Sequence, residues 1–365
     1  MGKILILPGD GIGKEITDES LKIINYFKEN INIDIEIEKD LFGGVSIDKN
    51  GEPLTRSVLD KAMDSDAVLL GAVGGPKWEN IDHNLKPEKG LLMLRKELET
   101  FANLRPGKVF QALIDASSLK KEVVKNTDIL VVRELTGGIY FGEPRYLKKI
   151  NEKKVGANTL VYDEDEIRRV AQVAFEIART RKKKVTSLDK ANVLEVMQLW
   201  RDVVSEVHET KFKDVELEHL YIDNAAMQII KRPSTFDVIL AGNLFGDIIS
   251  DEIAELIGSL GMLPSASLGV NKAIYEPAGG SAPDIAGQNT ANPIGSIMSL
   301  AMLFKYSLNL DNIHDLIETS ISITLDDGIR TNDINKDGKA KMVVSCNQMG
   351  DEILKKIDEI KSKFI

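Results

Sequence analysis

Short apolar runs alternate along this chain with longer segments of helical spacing, and that alternation restricts the fold more than any other feature. Ile4-Leu5-Ile6-Leu7 reads as a buried strand that ends in a glycine loop. Glu15 to Asn30 then carries Ile16, Leu21, Ile23, Ile24 and Phe27 at helix spacing. Ile31, Ile33, Ile35 and Ile37 alternate with polar residues, which predicts a half-exposed strand from Ile31 to Glu38. Ala67 to Val73, Asp128 to Arg133 and Asp237 to Ala241 read as further buried strands. Asp163 to Lys182 reads as an amphipathic helix whose basic end suits the helix dipole. Strands interleaved with helices predict an α/β fold with a largely parallel sheet.

At 365 residues the chain exceeds what one hydrophobic core usually serves, so two domains are expected. No Pro/Gly/Ser-rich linker separates two halves. The second domain is therefore expected as an insertion, with residues 1–104 and 258–365 forming one domain and residues 105–257 the other. The formal net charge of −10 argues against nucleic acid as the main partner, because a phosphate backbone needs a basic surface. Cys346 is the only cysteine, so no intramolecular disulfide is possible and a reducing compartment fits. The apolar start is cut by Pro8 and is too short for a secretory segment, and no run approaches the ~20 residues needed to cross a bilayer. A cytoplasmic location with no membrane association is expected.

The segment most suggestive of chemistry is Gly242-Asn243-Leu244-Phe245-Gly246-Asp247-Ile248-Ile249-Ser250-Asp251-Glu252. In a helix running from about Asp247, Asp247 and Asp251 share one face, and their repulsion would be relieved by a cation. A hard divalent ion prefers such all-oxygen ligands, which proposes magnesium or manganese. A lone Asp-x-x-x-Asp is more often an ordinary solvated helix face.

Two glycine loops invite nucleotide readings. Pro8-Gly9-Asp10-Gly11-Ile12-Gly13-Lys14-Glu15 fits neither the Rossmann spacing nor the P-loop pattern, since its glycines fall one residue short of each and Glu15 stands where the P-loop needs Ser or Thr. Glu36 or Glu38 lies near the distance of a Rossmann ribose contact, but a solvated strand face explains both. A tight strand-to-helix turn needing positive φ accounts for the loop. The second, Glu276-Pro277-Ala278-Gly279-Gly280-Ser281-Ala282-Pro283-Asp284-Ile285-Ala286-Gly287, is long and rich in small residues. Backbone amides in such a loop approach a phosphate closely, and Asp284 suits a ribose diol; a plain surface loop has the same composition.

Taken together, Leu-Pro-Gly-Asp-Gly-Ile-Gly, Asn-Leu-Phe-Gly-Asp-Ile-x-Ser-Asp and Glu-Pro-x-x-Gly-Ser-Ala-Pro-Asp-Ile-Ala-Gly resemble the isocitrate/isopropylmalate dehydrogenase family of metal-dependent β-decarboxylating dehydrogenases, over essentially the whole chain. The resemblance implies two α/β domains around a central cleft, without a Rossmann fold, in a homodimer with shared active sites. It implies a small-molecule dicarboxylate substrate, NAD, and Mg2+ or Mn2+ held by Asp247, Asp251 and, from the second subunit, Asp223. Lys190 matches the family lysine that assists deprotonation of the hydroxyl across the dimer interface, and Tyr140 matches the proton donor to the enolate carbon. Arg95, Arg105 and Arg133 match the substrate-binding arginines, and a planar guanidinium suits a carboxylate. Asp223 is placed against the substrate as well. Cofactor contacts are implied at Gly75, Glu88, Asn192, Glu276, Gly280, Ser281, Ala282, Pro283, Asp284, Ile285, Ala286, Gly287 and Asn292.

Family members differ in the substituent they accept. Where isocitrate enzymes carry Ser and Asn, this chain has Lys89 and Leu91, and the run Gly90-Leu91-Leu92-Met93-Leu94 is apolar. Leu91, Leu92 and Val193 are the expected pocket for a branched alkyl group. Burial of its carbons at about 0.8 kcal/mol per CH2 supplies ~2–3 kcal/mol of preference. The expectation is therefore NAD-dependent oxidative decarboxylation of 3-isopropylmalate in leucine biosynthesis. Isocitrate, homoisocitrate or tartrate as substrate is the alternative within the family, and a P-loop-type nucleotide-binding protein the alternative outside it. Asp284 beside the ribose favours NAD over NADP, while Gly279 stands where many relatives place an adenine-stacking His.

Overall fold

A computed structural model of the chain describes residues 2–365. Its strands of four residues or more are β1 (Gly2–Gly9), β2 (Ile35–Lys39), β3 (Ala67–Ala72), β4 (Ala102–Lys108), β5 (Asp128–Glu134), β6 (Tyr146–Ile150), β7 (Lys153–Ala157), β8 (Lys184–Asp189), β9 (Glu216–Tyr221), β10 (Val238–Ala241), β11 (Pro264–Leu268) and β12 (Ala273–Pro277), interleaved with helices. The chain forms two compact units. One holds the residues up to Thr100 together with Val109–Lys121 and Ala254–Ile365; the other holds Phe101–Lys108 and Glu122–Ile253.

In the first unit the strands run β2-β1-β3-β12-β11, parallel except for β11. Ile4, Leu5, Ile6 and Leu7 of β1 are wholly buried, as a strand covered on both faces requires. The segment 109–121 is tied to this unit by Arg330, which donates to the Ala112 carbonyl at 2.6 Å. The alternating stretch before β2 is not strand from its start. Ile31 and Ile33 donate to the Phe27 carbonyl and so close the helix Gly13–Asn30, with Asn32 in left-handed conformation at φ 56°. Helix closure consumes the amides that a longer strand needs.

The glycine loop after β1 is a brace. Asp10 is buried, and its carboxylate accepts from the backbone N–H groups of Gly44 (2.9 Å), Val45 (2.8 Å) and Gly74 (2.8 Å). Gly11 has φ 54°, and a Cβ there would collide with the Ser281 carbonyl, whose oxygen accepts from Ile12 at 2.9 Å. Lys14 points to solvent and pairs with Asp18 at 2.6 Å, and Glu38 pairs with Lys3 at 3.0 Å. Neither side chain is arranged for a nucleotide.

Cys346 opens the helix Cys346–Ile360 and packs with Ile16 and Ala291. Burial pushes its thiol up to about 12. Folded protein at pH 8 should therefore leave a disulfide reagent such as DTNB uncoloured for many minutes, with full reaction on denaturation. Rapid labelling of the folded protein would contradict that burial.

The second unit orders its strands β4-β5-β10-β8-β9, with β4 antiparallel to β5 and the others parallel. β6 and β7 form a separate antiparallel hairpin. Parallel strands release ligand-binding groups at their carboxyl ends. Register aligns those ends here: Ala241 of β10 lies beside Arg133 of β5 and Leu188 of β8, and Asp189 beside Tyr221 of β9. Among the described residues no helix is long and apolar enough to cross a membrane.

Candidate active site

The helix Asn243–Leu256 follows β10 and starts a full turn before Asp247, earlier than its sequence suggested. Asp247 and Asp251 are one turn apart on it. The Asp247 carboxylate is a junction: its Oδ1 accepts from Arg133 Nη1 at 2.5 Å, and its Oδ2 accepts from Tyr140 Oη at 2.9 Å. Arg105 Nη1 lies 3.4 Å from Asp247 Oδ1 and 3.5 Å from Asp251 Oδ1, and donates to Ser250 Oγ at 2.7 Å. Arg105 Nε donates to Asn103 at 2.8 Å, so this side chain is held at both ends. Both carboxylates thus converge on one cationic nitrogen. Their oxygens form a hard donor pair suited to a divalent cation. Desolvation raises the Asp251 carboxyl above the usual carboxylate range; Arg105 opposes this and the neighbouring Asp247 adds to it.

Tyr140 ends the short helix Gly138–Tyr140, anchored by Arg145 donating to its carbonyl at 2.7 Å. Burial and the Asp247 charge raise its hydroxyl above the usual phenol range. It is a protonated donor at neutral pH, as proton delivery requires. Lys190 follows β8, and its Nζ lies 2.8 Å from Asp223, in the first turn of the helix Ile222–Lys231. That contact lowers the Asp223 carboxyl. Buried Asp189, one residue earlier, accepts from Arg201 at 2.8 and 2.9 Å and from the Ala191 amide at 3.0 Å, which fixes the turn carrying Lys190. Among the described residues no group of three or more His, Cys, Asp or Glu side chains is placed to hold a metal ion, so Asp223 does not join Asp247 and Asp251 within one chain.

In the first unit, Arg95 is buried on the helix Pro87–Glu97, and its Nη2 donates to Glu276 Oε1 at 2.5 Å. Arg95 Nε has no hydrogen-bond partner among the described residues. Leu94 is core, Leu91 packs partly against the same core with Val73, and Leu92 is half-buried. Val193, in the second unit, is 63% exposed. Glu88 lies against Gly74, next to Gly75.

The loop after β12 leaves from Glu276 and Pro277. Ser281 is buried, Pro283, Asp284 and Gly287 are exposed, and Ala282, Ile285 and Ala286 lie between. The Gly287 amide donates to Glu15 at 2.7 Å, and Gln288 donates to the Asp284 carbonyl at 2.7 Å. Gly280 faces open space, and a Cβ on Gly279 would meet only Leu260 at ordinary contact distance. Asn292 donates to Asp333 at 3.0 Å and accepts from Ile294 at 3.0 Å, while Asn192 is exposed. An ordered loop with open glycines and an exposed carboxylate fits a dinucleotide.

Asn243, Asn103 and Ser250 were not singled out by sequence. Asn243 accepts from Arg133 through Oδ1, Asn103 accepts from Arg105, and Ser250 accepts from Arg105 while donating to the Asp247 carbonyl at 2.9 Å. Their proximity to the three recognised charges in sequence was the available signal.

The isocitrate/isopropylmalate dehydrogenase family model matches residues 3–353. Among curated relatives, the 3-isopropylmalate dehydrogenase of Aquifex aeolicus is 55% identical over 362 residues, covering 99% of each chain. That of Pelagibacter ubique is 54% identical, over 97% of this chain and 98% of the relative. Among solved structures, isocitrate dehydrogenase from Methylococcus capsulatus superposes with a TM-score of 0.86 at 30% identity, over 98% of this chain and 99% of that one. A β-decarboxylating dehydrogenase from Thermococcus kodakarensis gives 0.79 at 31% identity, over 99% and 98%.

Proposed function

The chain belongs to the isocitrate/isopropylmalate dehydrogenase family, and we propose that within it the protein is the NAD-dependent enzyme that oxidatively decarboxylates 3-isopropylmalate to 4-methyl-2-oxopentanoate and CO2, a step of leucine biosynthesis. The observation that carries this reading is identity above one half, over nearly the full chain, to several relatives named for that substrate. The apolar run through Leu91 and Leu92 supports it, because an isopropyl group needs apolar lining and the third carboxylate of isocitrate does not.

In this reading Arg95, Arg105 and Arg133 bind the substrate carboxylates. Lys190 takes the proton of the C2 hydroxyl, and NAD, when bound, would accept the hydride from C2. The bond from C3 to its carboxylate then breaks, CO2 departs, and the electron pair remains as an enolate. Tyr140 delivers a proton to C3, with its hydroxyl held on Asp247. Asp247 and Asp251, with Asp223 from a second copy, would hold magnesium or manganese, which would supply Lewis-acid stabilisation of negative charge on substrate oxygen. The loop Glu276 to Gly287, with Gly75, Glu88, Asn192 and Asn292, binds the cofactor, and the Asp284 carboxylate repels a 2′-phosphate and so favours NAD.

A homodimer is part of the proposal. Beside the Lys190 and Asp223 segments, Val193, Met227 and Ile230 expose apolar side chains, as do Ile248 on the Asp247 helix and Leu147 of the hairpin. Such surface is usual at interfaces. A biosynthetic enzyme with one thiol and, among the described residues, no candidate membrane-spanning helix suits the cytoplasm.

The test is NADH formation on 3-isopropylmalate, isocitrate, homoisocitrate, tartrate and malate, with and without a chelator. We expect 3-isopropylmalate to lead isocitrate in kcat/KM by at least about 100-fold, and chelation to stop turnover. Faster turnover of isocitrate would overturn the substrate assignment. Lys14→Ala should change kcat/KM by less than about twofold, since an exposed ion pair contributes little; a nucleotide site at Gly9 to Lys14 predicts a large loss.

A further inference from the structure

We propose that Asn243 is a positioning residue for the reaction: it fixes the rotation of the Arg133 guanidinium without neutralising it, and so aims that group at Asp247 and the substrate carboxylate. The inference rests on the functional reading above, in which Arg133 binds substrate.

Arg133, the next-to-last residue of β5, is 2% exposed. A guanidinium so buried must find acceptors for its N–H groups. Asn243 Oδ1 accepts from both Nε (3.1 Å) and Nη2 (2.8 Å), and Asp247 accepts from Nη1. The other half of the Asn243 amide is equally committed. Its Nδ2 donates to the carbonyls of Leu135 and Gly137, each at 3.1 Å, and its backbone N–H donates to Tyr162 Oη at 2.7 Å. The amide therefore has one workable orientation. Reversed, it would set donors against the guanidinium and an oxygen against two carbonyls.

Asn243, Gly246 and Asp247 stand at i, i+3 and i+4, one face of the helix. A Cβ on Gly246 would sit 2.8 Å from Arg133 Cβ and 2.7 Å from its Cγ. The stretch Asn-x-x-Gly-Asp is thus a grip on a single side chain. Asn243 takes two nitrogens, Gly246 makes room for the methylenes, and Asp247 takes the third nitrogen. A neutral acceptor at 243 matters. A carboxylate there would hold the fork as firmly, but it would cancel much of the charge that a dianionic substrate needs and would face the Leu135 and Gly137 carbonyls without a donor.

The experiment compares Asn243→Ala, Asn243→Asp and Arg133→Lys in the full-length protein, with a double-mutant cycle between positions 243 and 133. Calorimetry gives the Kd of 3-isopropylmalate and of NAD separately, and steady-state kinetics give both KM values. Each Asn243 variant should weaken 3-isopropylmalate by about tenfold or more while NAD binding stays within about twofold. On the Arg133→Lys background Asn243→Ala should add less than about twofold, because lysine presents no fork to hold. Additive losses, equal weakening of NAD, or unchanged substrate affinity in both variants would mark a structural residue and overturn the assignment. Should Asn243→Ala fail to fold, Asn243→Ser, uncharged and too short to bridge the fork, completes the cycle. A native protein that binds no 3-isopropylmalate overturns the functional reading itself, and this inference with it, an outcome distinct from any pattern among the variants.

Discussion

Asp247→Asn should lower kcat/KM for 3-isopropylmalate by about a thousandfold or more, while the denaturation midpoint barely moves. The carboxylate has three separate uses. It accepts from Arg133, accepts from Tyr140, and faces Arg105 at 3.4 Å. In the proposed reaction it also holds the divalent ion. Asparagine keeps the shape and loses the charge. With its oxygen kept on the guanidinium, its amide nitrogen faces the phenol and must donate to Tyr140 Oη, so Tyr140 loses the acceptor that holds its own proton. Loss of the charge removes a hard ligand as well. The side chain is a third exposed, which leaves water to solvate the replacement and limits the effect on folding. NADH formation measures the first part, and calorimetric titration with Mn2+ measures the second independently of turnover. Retention of more than about a tenth of native activity would remove Asp247 from the centre of the site.

The parts of the site legible in sequence are those whose chemistry is local. Two carboxylates one turn apart announce themselves, and so does an arginine at the end of an apolar strand. What escaped depends on register. Asn243 grips Arg133 because β10 lies against β5 with Ala241 beside Arg133, and no spacing within either segment encodes that pairing. Arg105-Pro106-Gly107 forms the body of β4, where Pro106 stands opposite Leu130 in an antiparallel pair that proline and glycine do not announce. β11 is Pro264-Ser265-Ala266-Ser267-Leu268, with none of the β-branched residues that mark a strand. The glycine loop after β1 was readable as a turn, but the reason for its aspartate, three backbone amides from two other segments, is a tertiary fact.

Mixing two inactive variants, Lys190→Met and Asp247→Asn, should restore about a quarter of native turnover once subunits exchange, because each site of a symmetric dimer would draw on both chains. Within one chain Lys190 is paired with Asp223 at 2.8 Å, and among the described residues Asp223 does not assemble with Asp247 and Asp251 into a metal-binding group. The functional reading needs all of them at one substrate, which a second copy would provide. In a mixed dimer, one site takes Asp247 from the first variant and Lys190 from the second, and both are intact. The other site collects both lesions. Equal exchange makes half the dimers mixed, each with one working site of two, hence the quarter. If both residues served the same site from one chain, every site would carry a lesion and no mixture would recover. Differently tagged variants allow the mixed dimer to be purified before assay. A purified mixed dimer that stays silent would therefore refute shared sites, whatever the activity of the native enzyme.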